Sequence, residues 1–178
     1  MPATDELDLA FPDINAPVSG GEPSFRRILV PVRAPGEAAE ALAVAARVCS
    51  AINGVLRLVH VRIYDPPLRG AGRFYPETAG EAAAILDEAL LTPWASGLRA
   101  ATAVVNAPRG QVAAAIARQA SAWPADVIVL TRRLRPAISR LVLGSVSDQV
   151  MRTASCPVLA VHPRPEPSRG RFSRHASH

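Results

Sequence analysis

Apolar positions along this chain follow two alternating rhythms. The stretches "RRILVPV" (26–32), "VLRLVHVRI" (55–63), "LRAATAVV" (98–105), "DVIVL" (126–130) and "CPVLAVH" (156–162) are short and rich in Val, Leu and Ile, which predicts five strands. Between them the period lengthens. In 36–52, Ala38, Ala41, Leu42, Ala45, Val48, Cys49 and Ile52 recur at helical spacing and predict an amphipathic helix ended by Gly54. A second helix is expected from about Glu77, with Ala82, Ile85, Leu86, Ala89 and Leu90 in phase, and Pro93 should end or kink it. Residues 110–122 predict a third helix, with Val112, Ala115 and Ile116 facing inward, and 145–154 a fourth. The segment "YDPPLRGAGRFYP" is punctuated by Pro66, Pro67, Gly70 and Gly72 and reads as a loop.

Strand and helix therefore alternate throughout, which argues for an α/β domain with a doubly wound, five-stranded parallel sheet and helices on both faces. Pro31 is awkward in a central strand, because it gives up a ladder hydrogen bond, and fits only near the strand's C-terminal end. Both ends of the chain lack apolar periodicity. Residues 1–24 hold five acids and no base, and residues 164–178 are rich in Pro, Ser and Arg. The expected organisation is thus an acidic disordered tail (1–24), one domain (25–163) and a basic disordered tail (164–178).

Composition narrows the chemistry. Aromatics are only 4% of the residues while hydrophobics are 49%, so the core has to be built from Ala, Val, Leu and Ile. All 20 basic residues are arginine, which removes any role needing a lysine ammonium, such as a Walker-type phosphate lysine or a Schiff base. The net charge of +5 comes from arginines scattered along the chain, and without aromatic platforms this argues against a nucleic-acid partner. No apolar run is long enough to span a bilayer, and the acidic N-terminus is the opposite of a signal peptide, so a soluble cytoplasmic protein is expected.

Cys49 and Cys156 have no metal or redox spacing and are expected to be small buried hydrophobes. His60, His162, His175 and His178 are too dispersed to suggest a metal site, and His60 reads as a packed histidine inside a strand. Gly-x-Gly-x-x-Gly, Gly-x-Ser-x-Gly and P-loop patterns are all missing from the sequence. No catalytic residue and no metal ligand is therefore assigned.

The order and spacing of "RRILVPV", "RGQVAAAIARQA", "PADVIVL" and "SRLVLGSVSDQVMRTASCPVLAVHP" resemble the universal stress protein family over roughly residues 25 to 163. Gly144-Ser145, Val146 and Cys156-Pro157-Val158 carry most of that resemblance. It implies the adenine nucleotide alpha hydrolase-like fold with strand order 3-2-1-4-5. It also implies a ligand position beyond the C-terminal ends of strands one and four, at the switch point of the sheet.

ATP-binding members carry Gly-x-x-Gly, nine residues, then Gly-Ser/Thr, so that backbone N–H groups can approach the phosphates. Here Thr131 and Leu134 stand at the first two glycine positions, Ala137 at a further one, and only Gly144 and Ser145 keep the pattern. The family aspartate after the first strand, which contacts the nucleoside, is Arg33 in the run "VPVR". An acceptor has become a donor.

The resemblance thus implies a non-enzymatic stress-response or regulatory protein that has lost ordinary ATP binding and holds no cofactor. Its expected partners are a second copy, paired through the last strand (Pro157 to His162), and a regulatory protein. The alternative keeps ATP or another anionic small molecule, with at most slow hydrolysis, in a degenerate site of Gly144, Ser145, Thr131, Arg133 and Arg33, helped by the Arg-rich loop 132–140. In the plainer account those arginines only solvate the loop, Gly144 makes a turn, and Ser145 caps a helix with Asp148. Asp126, before strand four, is expected to cap or be solvated.

Overall fold

A computed structural model describes residues 25–65, 72–91, 97–132 and 146–162. The elements alternate without exception along these residues. They are β1 (Arg27–Pro31), α1 (Pro35–Ile52), β2 (Val55–Tyr64), α2 (Ala79–Leu90), β3 (Arg99–Pro108), α3 (Val112–Ala122), β4 (Val127–Thr131), α4 (Val146–Thr153) and β5 (Val158–Val161). The strands form one sheet in the order β3-β2-β1-β4-β5, with every pairing parallel. Both expected tails lie outside the described residues.

The sheet has two apolar faces because it is covered twice. Ile28 and Val30 of β1, Leu56 and Leu58 of β2, and Val127 and Val129 of β4 point to one side and pack with Ala38, Ala41, Leu42 and Cys49 of α1 and Leu86 and Ala89 of α2. The alternate residues Leu29, Val55, Val59, Ile128 and Leu130 meet Ala113, Ile116 and Ala120 of α3, Trp123, and Val150 of α4. Small alanines on α1 let it lie close to the sheet, so the expected helix face holds, with Ala46 buried in addition. Val48 and Ile52 are only partly buried.

Several boundaries shift for local reasons. Pro31 is the last residue of β1, opposite Val59, where a missing N–H costs least. The second helix starts at Ala79, two residues after the expected Glu77, because Thr78 and Glu81 form a capping box that fixes its first turn. β3 runs on to Pro108 because β2 extends beside it as far as Tyr64. Asp126 neither caps a helix nor is simply solvated: its carboxylate accepts from the Arg27 N–H at 2.8 Å, while its own N–H donates to the Arg27 carbonyl. It joins the starts of β1 and β4.

The turn from α1 into β2 is the tightest point. Asn53 is left-handed (φ 50°), Gly54 N–H donates to the Cys49 carbonyl at 2.8 Å, and a Cβ on Gly54 would stand 2.8 Å from the Arg26 carbonyl oxygen. Gly54→Ala should therefore force the backbone of β1's approach aside. The expected loss is about 1–3 kcal/mol, read as a lower urea midpoint with an unchanged slope.

Burial pushes the Cys49 thiol up to about 11, with the nearby Arg99 charge pulling the other way. Below the ordinary thiol range, about 8.5, the folded and unfolded chains hold the same proton. As pH climbs from there toward about 11 only the unfolded thiol ionises, so stability falls over that window. Urea unfolding from pH 8 to 10.5 should show this slope, and Cys49→Ala should flatten it.

Candidate functional site

β1 and β4 are neighbours whose onward connections leave in opposite directions along the sheet, which makes the space beyond Pro31 and Thr131 the switch point. They pair at Ile28–Val127 and Leu29–Ile128 and run on to these two ends. α1 begins there without a side-chain cap: Ala34 is the N-cap, and Pro35 opens the first turn.

Arg33, on the bend between β1 and α1, is 80% exposed, and its Nη1 lies 3.6 Å from Oε2 of Glu37. The guanidinium follows the first turn of α1 into solvent. Thr131 ends β4 opposite Val161, and its hydroxyl oxygen is buried without a hydrogen-bond partner. Arg132 donates its backbone N–H to the Val161 carbonyl at 2.7 Å, and its Nε lies 3.6 Å from Oδ1 of Asp148 in the first turn of α4. The structure thus brings Arg33 and Thr131 to the same end of the sheet. Arg133, Gly144 and Ser145 lie outside the described residues, as do Leu134 and Ala137.

The residues that sequence reasoning missed surround the end of β2. Past Val59, β2 has no β1 residue beside it, yet it continues with β3 to Tyr64. Residues 72–78 take up that open side: Asp65 N–H donates to the Phe74 carbonyl at 3.0 Å, and Arg62 Nε donates to the Glu77 carbonyl at 2.6 Å. The Arg62 guanidinium stacks over Tyr75 at 3.9 Å, and Arg73 lies over Tyr64 at 4.8 Å.

His60 is 4% exposed, with Nδ1 2.8 Å from the Val32 carbonyl and Nε2 2.8 Å from Oε2 of Glu77. The expected packed histidine is thus tied on both ring nitrogens. Thr78-Ala79-Gly80-Glu81 is a capping-box pattern legible in the sequence and could have flagged the strap that precedes it. The pairing of His60 with Glu77 across the intervening loop had no such signal.

No group of three or more His, Cys, Asp or Glu residues that could hold a metal occurs among the described residues. No described helix is long and apolar enough to cross a membrane.

The universal stress protein family model matches residues 24–162. The chain belongs to the universal stress protein family. A universal stress protein structure from Archaeoglobus fulgidus superimposes with TM-score 0.60 at 25% identity, covering 77% of this chain and 98% of that one. A universal stress protein from the same organism in complex with dAMP gives TM-score 0.56 at 23% identity, covering 76% and 97%. An Arabidopsis thaliana family protein with AMP bound gives TM-score 0.54 at 14% identity, covering 77% and 91%. No curated protein sequence matches the chain.

At the far end of β2 and β3, Arg109 grips the Asp65 carboxylate with Nε at 2.6 Å and Nη2 at 3.0 Å. The hydrogen bond to Arg109, more than its charge, holds the Asp65 carboxyl below the usual carboxylate range. This pairing is present above that range and is lost as pH falls through the lowered folded value. Carboxyl NMR should show Asp65 titrating below the other aspartates, and Arg109→Gln should return it to the ordinary range.

Proposed function

We propose that this universal stress protein acts as a regulatory binding protein without chemistry of its own, and that it has lost the family's ordinary ATP mode. The observation that carries this reading is Arg33. At the position where ATP-binding members place an aspartate, this chain has a guanidinium largely in solvent and bridged to Glu37. A carboxylate there accepts from ribose hydroxyls, whereas this guanidinium can only donate. The sequence adds Thr131 and Leu134 at positions where close approach of backbone to phosphate favours glycine.

A second reading, an anionic small-molecule site, is favoured by one specific feature. The buried Thr131 hydroxyl at the end of β4 lacks a hydrogen-bond partner, and a buried polar group in that state invites one. The dAMP and AMP complexes of structural neighbours make a nucleotide the first candidate.

Titration calorimetry of the nucleotide-stripped protein with ATP and AMP separates the two readings. The expected outcome is no saturable heat up to millimolar ligand, a binding free energy weaker than about 4 kcal/mol. Micromolar binding, weakened tenfold or more by Thr131→Val or Gly144→Ala, would replace the first reading with the second.

The same proposal pairs two copies through β5. This strand is hydrogen-bonded on the β4 side alone within the sheet, and Leu159 is 44% exposed on it. An apolar edge of that kind is a template for a second strand. Sedimentation should give a dimer, and Leu159→Glu should shift it to monomer at the same concentration.

A further inference from the structure

Glu77 is held at both ends by side chains from one face of β2. His60 meets its carboxylate and Arg62 its carbonyl. The hydrogen count at His60 is restrictive. The Val32 carbonyl can only accept, so Nδ1 must carry a hydrogen. A neutral imidazole has a single N–H, which leaves Nε2 with a lone pair aimed at a carboxylate oxygen 2.8 Å away. Two lone pairs at that distance, on a histidine 4% exposed and a Glu77 side chain 26% exposed, repel, so a proton has to lie between them.

We propose that His60 and Glu77 share one proton, and that this proton is the latch pinning residues 72–78 and the start of α2 to the C-terminal end of β1. Both are positioning residues. The latch goes beyond the function proposed above and holds whether or not a nucleotide binds.

Its consequence follows from the overshoot of β2. Past Val59 the strap meets β2 through the Asp65–Phe74 bridge and the His60 and Arg62 side chains, and Glu77 is the last strap residue before the Thr78 cap of α2. Taking the proton away sets ring and carboxylate against each other, releases Glu77, and uncovers the end of β2 next to Val32 and Arg33.

The charged groups facing the pair are already engaged. From β2, Arg62 is bonded to the Glu77 carbonyl and stacked on Tyr75. From α2, Glu81 takes the Thr78 N–H at 2.7 Å and hydroxyl at 2.8 Å. After β1, Arg33 bridges to Glu37.

Nitrogen NMR of the His60 ring and carboxyl NMR of Glu77, with amide exchange over 72–81, test the latch in the full chain. The expected wild-type spectrum has hydrogen on Nδ1 and one exchange-protected proton between Nε2 and Glu77. In Glu77→Gln the amide can donate to Nε2, so that nitrogen should take a lone-pair shift while exchange at Thr78 and Glu81 stays within about threefold of wild type. In Glu77→Ala the same amides should exchange about tenfold faster or more, the equivalent of one lost hydrogen bond. An ionised Glu77 beside a neutral ring would overturn the proposal. So would a ring protonated on Nε2 alone, wild-type exchange in Glu77→Ala, or Glu77→Gln exchanging as fast as Glu77→Ala.

Discussion

β1 is enclosed on every side, and the rest of the molecule is arranged to keep it so. Ile28, Leu29 and Val30 are each 0% exposed, with β2 and β4 on the two edges and helices over the two faces. A strand buried in this way cannot be reached by hairpins, since parallel neighbours need crossovers, and the crossovers here are the helices that cover the sheet. The same constraint creates the candidate site. β1 stops at Pro31, and the chain leaves the core there between two neighbours whose own connections run to opposite sides.

The parts of the fold that were legible in the sequence are the parts that repeat. The alternation of strand and helix and the Ala-rich inner face of α1 are written as periodicity and survive in the structure almost unchanged. The boundaries that moved are set by partners at a distance in sequence. β3 continues through Asn106 and Ala107 because it pairs with Arg62 and Ile63, and nothing in "NAP" by itself signals a strand. The start of α2 was written locally, in the Thr78 and Glu81 capping pair. Arg33 could be located from the resemblance and Glu37 from helical spacing, whereas His60 and Glu77 meet only after the chain between them has folded back. The Gly144-Ser145 end of the motif lies outside the described residues.

The strap and the sheet solve one problem together. β2 outlasts β1, and an exposed run of strand edge has polar groups to satisfy. Asp65 answers with a backbone bond to Phe74, while the side chains of Arg62 and His60 satisfy the carbonyls of Glu77 in the strap and Val32 just after β1 ends. The strap and the end of β1 are thus joined through two hydrogen bonds on one imidazole ring.

At the switch point two arginines are matched in the same way. Arg33 faces Glu37 in the first turn of α1, and Arg132 faces Asp148 in the first turn of α4. An acid in a helix's first turn already compensates the positive end of its dipole, the feature that would otherwise favour a phosphate. Each arginine then answers its acid, so both helix ends are internally balanced. Both pairs are partly exposed and worth about 1 kcal/mol or less, so an anion could displace them at small cost. The salt bridges are therefore no obstacle to a phosphate, and the proposed loss of ordinary ATP binding rests on the sequence, where Thr131 and Leu134 stand at positions that the resemblance assigns to glycine.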